Sequence, residues 1–157
     1  MNNTLEKFDV VIVGAGFSGL LCAGYLREAG VANIRIFEMT PSVGGVWAKN
    51  GVGSYPGAAC DVPSYAYLPL LDQTGFIPTK KYVTQPEISA YAELMTDHLD
   101  VRDCLRFSRK VIEAVYSEDE GKLWQTQARA PTSIIKVAHE FSRLLRADQE
   151  RPVLPEG

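Results

Sequence analysis

The chain has 157 residues, of which 46% are hydrophobic and 22% charged, and its formal net charge is −3. This length is typical of one globular domain, and the charge gives no electrostatic basis for binding nucleic acid or an anionic membrane. The N-terminus has no basic segment followed by a long apolar run, and Val10–Val13 is too short to span a bilayer. We therefore expect a cytoplasmic protein.

The number and spacing of the cysteines argue against two further classes of protein, those held by disulfides and those that bind a metal. The chain has three cysteines, Cys22, Cys60 and Cys104, with no C-x-x-C pair, and only two histidines, His98 and His139. This pattern predicts neither a disulfide framework nor a metal site.

The first elements read as strand, turn, helix and strand. An almost continuous apolar run from Phe8 to Val13 predicts a parallel strand buried on both faces. Phe17–Ala29 predicts a helix that ends at Gly30, and Asn33–Phe37 predicts a second strand. Together they predict a right-handed βαβ unit, and therefore an α/β fold with a Rossmann-like core.

The turn of this unit carries the motif G-x-G-x-x-G at Gly14, Gly16 and Gly19, and Glu38 follows nineteen positions after the last glycine. In this context the motif is typical of dinucleotide binding. Gly14 permits the tight turn, Gly16 lets the backbone approach a pyrophosphate, and Gly19 lets helix and strand pack closely. The pyrophosphate would lie on the free N–H groups of the helix N-terminus, and Glu38 would accept hydrogen bonds from ribose hydroxyls. A glycine-rich turn in an ordinary parallel α/β core is the alternative.

The rest of the chain predicts a long loop and a second group of elements. Residues 40–81 are rich in proline and glycine yet hold several aromatic residues, which predicts an ordered binding surface. Thr84 and Glu87 predict a capping box at the start of a helix that runs to about Leu99. An antiparallel meander is predicted from the strands Leu105–Phe107, Val111–Ser117 and 122–128, and apolar spacing predicts an amphipathic C-terminal helix over 133–147.

Read beside the glycine motif, three segments resemble the class B flavoprotein monooxygenases, and most closely the Baeyer–Villiger monooxygenases. They are Gly44-Gly45-Val46-Trp47, the stretch from Tyr55 to Tyr67 that begins Y-P-G-A-A-C-D, and Tyr82–Ile88. The resemblance covers residues 8–128, with the motifs in the same order. It implies a single FAD-binding domain over residues 1–157, truncated relative to the family, with a divergent segment at 129–151.

The resemblance also implies site residues. Gly14, Gly16, Phe17, Ser18 and Gly19 would bind the FAD pyrophosphate, and Glu38 the adenosine ribose. The remaining positions would contact the flavin, the adenine or the nicotinamide of NADPH: Gly45, Val46 and Trp47 along the flavin side; Asp61, Val62 and Tyr67 at the isoalloxazine; Val111 at the adenine; and Ala59, Cys60 and Asp61 at the nicotinamide. Of these, Asp61 is the candidate catalytic carboxylate.

Each of these side chains also has a structural interpretation. Trp47 and the tyrosines could be core residues that cover the sheet, and Asp61 could form an Asx-turn. Cys60 is best interpreted as a small buried hydrophobe.

The reaction implied by the resemblance reduces FAD with NADPH and inserts one oxygen of O2 into a ketone-like substrate. The chain departs from the family in four ways. Extra residues lie around 51–53, Ala59 stands where relatives often have arginine, the family's returning apolar strand is replaced by the helical pattern at 134–145, and the chain stops at Gly157 before the family's NADPH-binding domain. A reading-frame or splice change across 129–151 would explain the third departure.

Three hypotheses remain from the sequence. The chain is the FAD-binding part of a Baeyer–Villiger-type monooxygenase, incomplete as a stand-alone enzyme; or it is a non-catalytic nucleotide-binding or interaction module; or it is a degenerate remnant with an unpaired sheet edge. The missing part of the cleft predicts weak flavin retention and no turnover.

Overall fold

The computed structural model describes residues 6–49, 58–118, 123–129 and 134–140. These residues form two sheets, which meet at a break in the first predicted strand. Strand β1 covers Glu6–Phe8 and β2 covers Val10–Val13, with Asp9 between them. The sequence predicts one strand here. The break at Asp9 assigns the two halves to different sheets, since β1 pairs in one and β2 in the other.

The first sheet is parallel and contains the predicted βαβ unit. Helix α1, Phe17–Glu28, connects β2 to β3, Ile34–Phe37, and β3 pairs with the short strand β4, Leu105–Arg106. The strand order is β2-β3-β4, and all three strands run in the same direction. Because parallel strands end at the same edge, this sheet brings the glycine turn after β2 beside the residues that follow β3.

The second sheet contains two of the three strands predicted for the meander. The prediction is wrong for Leu105–Phe107, because β4 pairs in parallel with β3 in the first sheet. Strand β5 covers Lys110–Ser117, β6 covers Leu123–Arg129 and β7 covers Ile134–Glu140. The order is β1-β7-β6-β5, with antiparallel pairing except between β7 and β1, which are parallel.

The predicted amphipathic helix at 133–147 is wrong over its described residues, because residues 134–140 form β7. Val137 lies opposite Thr126 on one side and opposite Glu6 on the other, so the strand pairs along both edges. Ladder hydrogen bonds on two sides outweigh a helical spacing of apolar residues, and three β-branched residues, Ile134, Ile135 and Val137, suit a strand. Residues 141–147 of the predicted helix lie outside the described residues.

The long loop is ordered where it is described, as predicted. It contains a 3-10 turn, Gly45–Trp47, and two one-turn helices, α2 at Ser64–Tyr67 and α3 at Leu71–Thr74. The Cys60 N–H donates to the Val83 carbonyl at 3.0 Å, and buried Ser64 accepts from the Val83 N–H at 2.9 Å. These bonds hold the loop against the segment that enters the next helix.

That helix, α4, covers Gln85–His98, and Thr84 is its N-cap residue as predicted. The predicted capping box is wrong, since the Thr84 side chain makes no cap hydrogen bond. The Glu87 carboxylate instead accepts from the Thr79 N–H at 2.8 Å and hydroxyl at 2.6 Å. The inward face of α4 carries Ile88, Tyr91, Ala92 and Met95, which are fully buried.

The main core lies between the parallel sheet, α1 and α4. A 3-10 turn at Arg102–Cys104 leads from α4 towards β4. A smaller cluster of Phe8, Phe37 and Ala128, with Val11 and Val111 packed against it, joins the two sheets. Among the described residues, no helix is long and apolar enough to cross a membrane.

Candidate functional site

The glycine turn after β2 has the backbone that the motif requires. Gly14 has a φ of +97°, which an L side chain rarely adopts. A Cβ added to Gly19 would lie 2.1 Å from the Gly14 carbonyl oxygen, so only glycine fits there. Gly16 is the N-cap residue of α1 and offers no side-chain cap. The gap between Gly16 and Gly45 is narrow, because a Cβ added to Gly45 would lie 3.2 Å from the Gly16 Cα. The predicted roles of Gly14 and Gly19 in turn and packing are therefore confirmed.

Glu38 connects the two strand ends. It is only 4% exposed, and its carboxylate accepts from the Ala15 N–H at 2.8 Å and from the Thr40 N–H at 2.7 Å. An ionised carboxylate accepts about four hydrogen bonds, so each oxygen keeps a site for a ligand hydroxyl. The carboxylate thus fixes the glycine turn and still faces the cleft described next.

A cleft of about 320 Å³ opens at the carboxyl ends of β2 and β3. Five of the predicted site residues line it together: Gly14, Glu38, Gly45, Val46 and Val111. Its other walls come from the same strand ends and from the start of β5, namely Val13, Phe37, Met39, Thr40, Arg109 and Lys110. Ligands of open α/β sheets bind at this edge.

Sequence reasoning missed this second group of lining residues. Met39 and Thr40 follow Glu38 directly, so the position of the acidic residue could have indicated them. Arg109 and Lys110 carried no sequence signal, because their place in the cleft depends on the hydrogen bond of 2.9 Å from the Arg109 N–H to the Glu38 carbonyl.

The aromatic residues of the site form a connected group. The Phe17 ring lies edge to face with the Tyr67 ring and tilted against the Tyr91 ring, and the ring centroids are 6.1 Å apart in both pairs. The Trp47 indole N–H donates to the Tyr67 hydroxyl at 2.5 Å, and the Trp47 carbonyl accepts from the Gln85 side chain at 2.8 Å. Phe17, Trp47 and Tyr67 are all partly buried against the core, so their structural interpretation holds whether or not they also contact a ligand.

Burial alters the acidity of one member of this group. It raises the pKa of the Tyr91 hydroxyl above its usual range, and a hydrogen bond with Thr74 acts in the opposite direction. Tyr91 therefore remains protonated at neutral pH and serves as a neutral hydrogen-bonding group in the core.

Residues 59–62 form a strip beside the start of α4. Ala59 makes an antiparallel bridge with Thr84. Cys60 is 4% exposed, which confirms it as a small buried hydrophobe, whereas Asp61 and Val62 are exposed. The Asp61 carboxylate makes no hydrogen bond to the described residues, so it is free to meet a ligand. Ser18 is exposed on the first turn of α1. None of these residues lines the cleft, and Tyr55 to Gly57 lie outside the described residues.

These features fit an adenine dinucleotide. Gly16 and Gly45 leave a backbone gap that a Cβ would narrow, and the uncapped N-terminus of α1 offers N–H groups to an anion. In the cleft, exposed apolar side chains such as Val13 (65% exposed) and Val46 stand beside Glu38 and two cations. The described residues contain no group of three or more histidine, cysteine or acidic residues that could hold a metal ion.

The fold and the cleft define a Rossmann-like nucleotide-binding domain, and the comparisons agree. A model of the NAD(P)-binding Rossmann-like domain matches residues 12–75. An FAD-binding monooxygenase of Hypomyces subiculosus, hmp7, is 40% identical over 121 residues, which are 77% of this chain and 19% of that protein. Baeyer–Villiger monooxygenase ATR8 of Stachybotrys chlorohalonatus gives the same identity and coverage.

A solved structure extends the likeness to three dimensions. An oxidised steroid monooxygenase bound to NADP is 40% identical, with a TM-score of 0.69 over 83% of this chain and 25% of that one. Over the residues that it shares with these proteins, the chain is homologous to Baeyer–Villiger monooxygenases. It spans about a fifth of the length of the relatives named above.

Proposed function

We propose that the cleft at the carboxyl ends of β2 and β3 binds FAD. The observation that carries this proposal is the joint placement of Gly14, buried Glu38, Gly45 and Val111 around one cleft. Glu38 and Val111 would hold the adenosine half. The backbone from Gly14 to Gly19, including Gly16, Phe17 and Ser18, would hold the pyrophosphate.

The flavin end of FAD would extend from Gly45 and Val46 towards Trp47, Tyr67, Asp61 and Val62. Trp47 and Tyr67 are held to each other by the bond from the indole N–H to the hydroxyl. Such a rigid aromatic pair would exclude water from the reacting ring. Exposed Asp61 would orient an amide or pair with a cation at the nicotinamide side, next to Ala59 and Cys60.

We further propose that the chain acts as the FAD-binding part of an NADPH-dependent monooxygenase of the Baeyer–Villiger type. Bound FAD would supply the redox chemistry, taking electrons from NADPH and activating O2 for insertion into a ketone-like substrate. Support comes from the identity of 40% to an FAD-binding monooxygenase and to a Baeyer–Villiger monooxygenase. The chain's own residues would bind and orient the cofactor.

A flavin titration tests the first proposal. The purified protein is mixed with FAD, passed through a desalting column and titrated while flavin absorbance and fluorescence are recorded. Saturable binding of one FAD per chain, with a shifted visible spectrum, is expected in the titration, and little flavin is expected to stay bound through the column. Binding of ADP or NAD without FAD would favour a non-catalytic nucleotide-binding module instead.

NADPH oxidation tests the second proposal. The FAD-loaded protein is supplied with NADPH, O2 and a panel of ketones, and lactone or ester products are identified by mass spectrometry. A matched Asp61→Asn variant separates the role of that carboxylate, because an exposed side chain can be replaced with little effect on folding. No product is expected from the 157-residue protein alone, so Asp61→Asn is compared by FAD affinity and by the spectrum of bound flavin. Equality of both with the unaltered protein would remove Asp61 from the site.

A further inference from the structure

Arg109 occupies a fixed position in the wall of the cleft. It directly precedes β5, and its backbone N–H donates to the Glu38 carbonyl at 2.9 Å. That bond ties the start of the second sheet to the end of β3 in the first. The side chain lines the same cleft as Gly14, Glu38 and Val111.

The guanidinium group of Arg109 is incompletely paired. Its Nη1 donates to the Ser108 carbonyl at 3.2 Å, but Nε is shielded from solvent and has no hydrogen-bond partner among the described residues. A buried donor without an acceptor is unfavourable, more so when it is part of a charged group. The unpaired Nε therefore gives Arg109 no structural advantage in the ligand-free protein.

The nearby carboxylate does not satisfy Arg109. Both oxygens of Glu38 accept from backbone N–H groups, those of Ala15 and Thr40, at 2.8 and 2.7 Å. Lys110 adds a second positive charge to the same wall. The cleft therefore combines a carboxylate that backbone N–H groups hold in place with two cationic side chains, neither of which bonds to it among the described residues.

We propose that Arg109 is a specificity-determining residue for the adenosine half of the cofactor. Its planar cation packs on the face of the purine, and its terminal amino groups donate to acceptor atoms of the adenine or its ribose. The residue thereby selects an adenine dinucleotide over FMN, which lacks the adenosine half. This inference rests on the proposed FAD site.

Isothermal titration calorimetry of the 157-residue protein with FAD, ADP and FMN tests the inference. Arg109→Met keeps the length of the side chain but removes the donors, and Arg109→Lys keeps only the charge. The matched control is Arg106→Met, because Arg106 is exposed on β4 and its guanidinium bonds only to the backbone carbonyls of Asp103 and Leu105.

We expect Arg109→Met to weaken FAD and ADP binding about tenfold or more, with Arg109→Lys intermediate and Arg106→Met unchanged. FMN binding is expected to be equal in all four proteins. The melting temperature of ligand-free Arg109→Met should match or exceed that of the unaltered protein, because the variant removes an unpaired donor. A purely structural role would lower it.

The outcomes separate the two proposals. Equal FAD and ADP affinities in the unaltered protein and Arg109→Met would overturn the role of Arg109 and leave the FAD site standing. Binding of ADP that depends on Arg109, without binding of FAD, would overturn the flavin proposal alone. No binding of any probe, or a lower melting temperature of ligand-free Arg109→Met, would overturn the inference.

Discussion

Three glycines within six residues serve different physical purposes in the turn after β2. Gly14 supplies a positive φ, Gly19 supplies space against the Gly14 carbonyl, and Gly16 begins α1 at an ordinary φ of −75°. The first two are requirements of folding. Gly16 has no comparable requirement in the protein itself, because a Cβ there would meet only the Gly45 Cα at 3.7 Å. We therefore propose that Gly16 is required by the ligand rather than by folding.

This difference predicts opposite results for two alanine variants. Gly19→Ala should lower the free energy of unfolding by about 2 kcal/mol or more, because backbone atoms must move to accept the Cβ. Gly16→Ala should change that free energy by less than about 1 kcal/mol and weaken FAD binding. Urea denaturation and a flavin titration measure both quantities. Equal stability losses in the two variants would contradict the assignment.

The Glu38 carboxylate holds the glycine turn through its bonds to the Ala15 and Thr40 N–H groups, and in the proposed site it also binds the ribose. Replacement by glutamine turns one acceptor oxygen into a donor that would face a backbone N–H, either that of Ala15 or that of Thr40. We expect Glu38→Gln to lose about 1–3 kcal/mol of stability in urea denaturation and to bind FAD more weakly. Glu28→Gln, on the exposed face of α1, is the matched control and should change neither quantity. Full stability of Glu38→Gln would show that its carboxylate does not hold the turn.

Among the elements, α1 is fixed at its C-terminal end by charge. Arg27 bonds to Asp103 at 2.8 Å and to Asp100 at 3.1 Å, which ties α1 to the segment that leads into β4. The hydrogen bond from Arg27 lowers the pKa of the Asp103 carboxyl below its usual range. Because the folded pKa lies below the unfolded one, the stabilisation is present above the unfolded pKa of about 3.9 and is lost as pH falls through the folded value.

We therefore expect Asp103→Asn to cost at most about 1 kcal/mol at pH 7, since the carboxylate is largely exposed. The difference from the unaltered protein should vanish as pH falls below the folded pKa of the carboxyl. Urea denaturation between pH 2 and 7, in a double-mutant cycle with Arg27→Met, measures the coupling. A coupling energy that is the same at both ends of this range would contradict the ion-pair explanation.

Element prediction succeeded where local sequence and tertiary pairing agree. The βαβ unit and α4 follow from apolar periodicity, and glycine ends α1 as predicted, with a φ of +87° at Gly30. At residues 134–140 the local sequence and the tertiary pairing conflict. The apolar spacing suits a helix, whereas the edges of β1 and β6 accept a strand. Short isolated helices are marginal in water, so pairing with two existing strands decides the outcome.

At the scale of the molecule, the cleft lies between two sheets that a small cluster holds together. Phe8, Phe37 and Ala128 pack with Val11 and Val111, and Val111 also lines the cleft. A ligand that contacts Glu38 in one sheet and Val111 in the other would therefore stabilise both. The two tryptophans report on the two parts, since Trp47 packs against the main core and Trp124 contacts Tyr116 in the meander.

We expect single-tryptophan variants, Trp47→Phe and Trp124→Phe, to give coincident fluorescence transitions in urea. FAD at a hundred times its Kd should raise the free energy of unfolding of the unaltered protein by about 2.7 kcal/mol. It should also shift the Trp124 signal, although that residue lies outside the cleft. An early Trp124 transition that FAD does not move would show that the meander unfolds separately and that the ligand does not join the sheets.

The sequence by itself determined the glycine turn, the acidic residue after the second parallel strand and the resemblance to Baeyer–Villiger monooxygenases. These features are local, since backbone conformation and close packing dictate glycine at fixed spacing. Only the tertiary structure decided that residues 134–140 are a strand and that Arg109 and Lys110 stand in the cleft beside Glu38. Both placements include pairing between distant segments, β1 with β7 and Glu38 with Arg109, and no local pattern encodes which edges will meet.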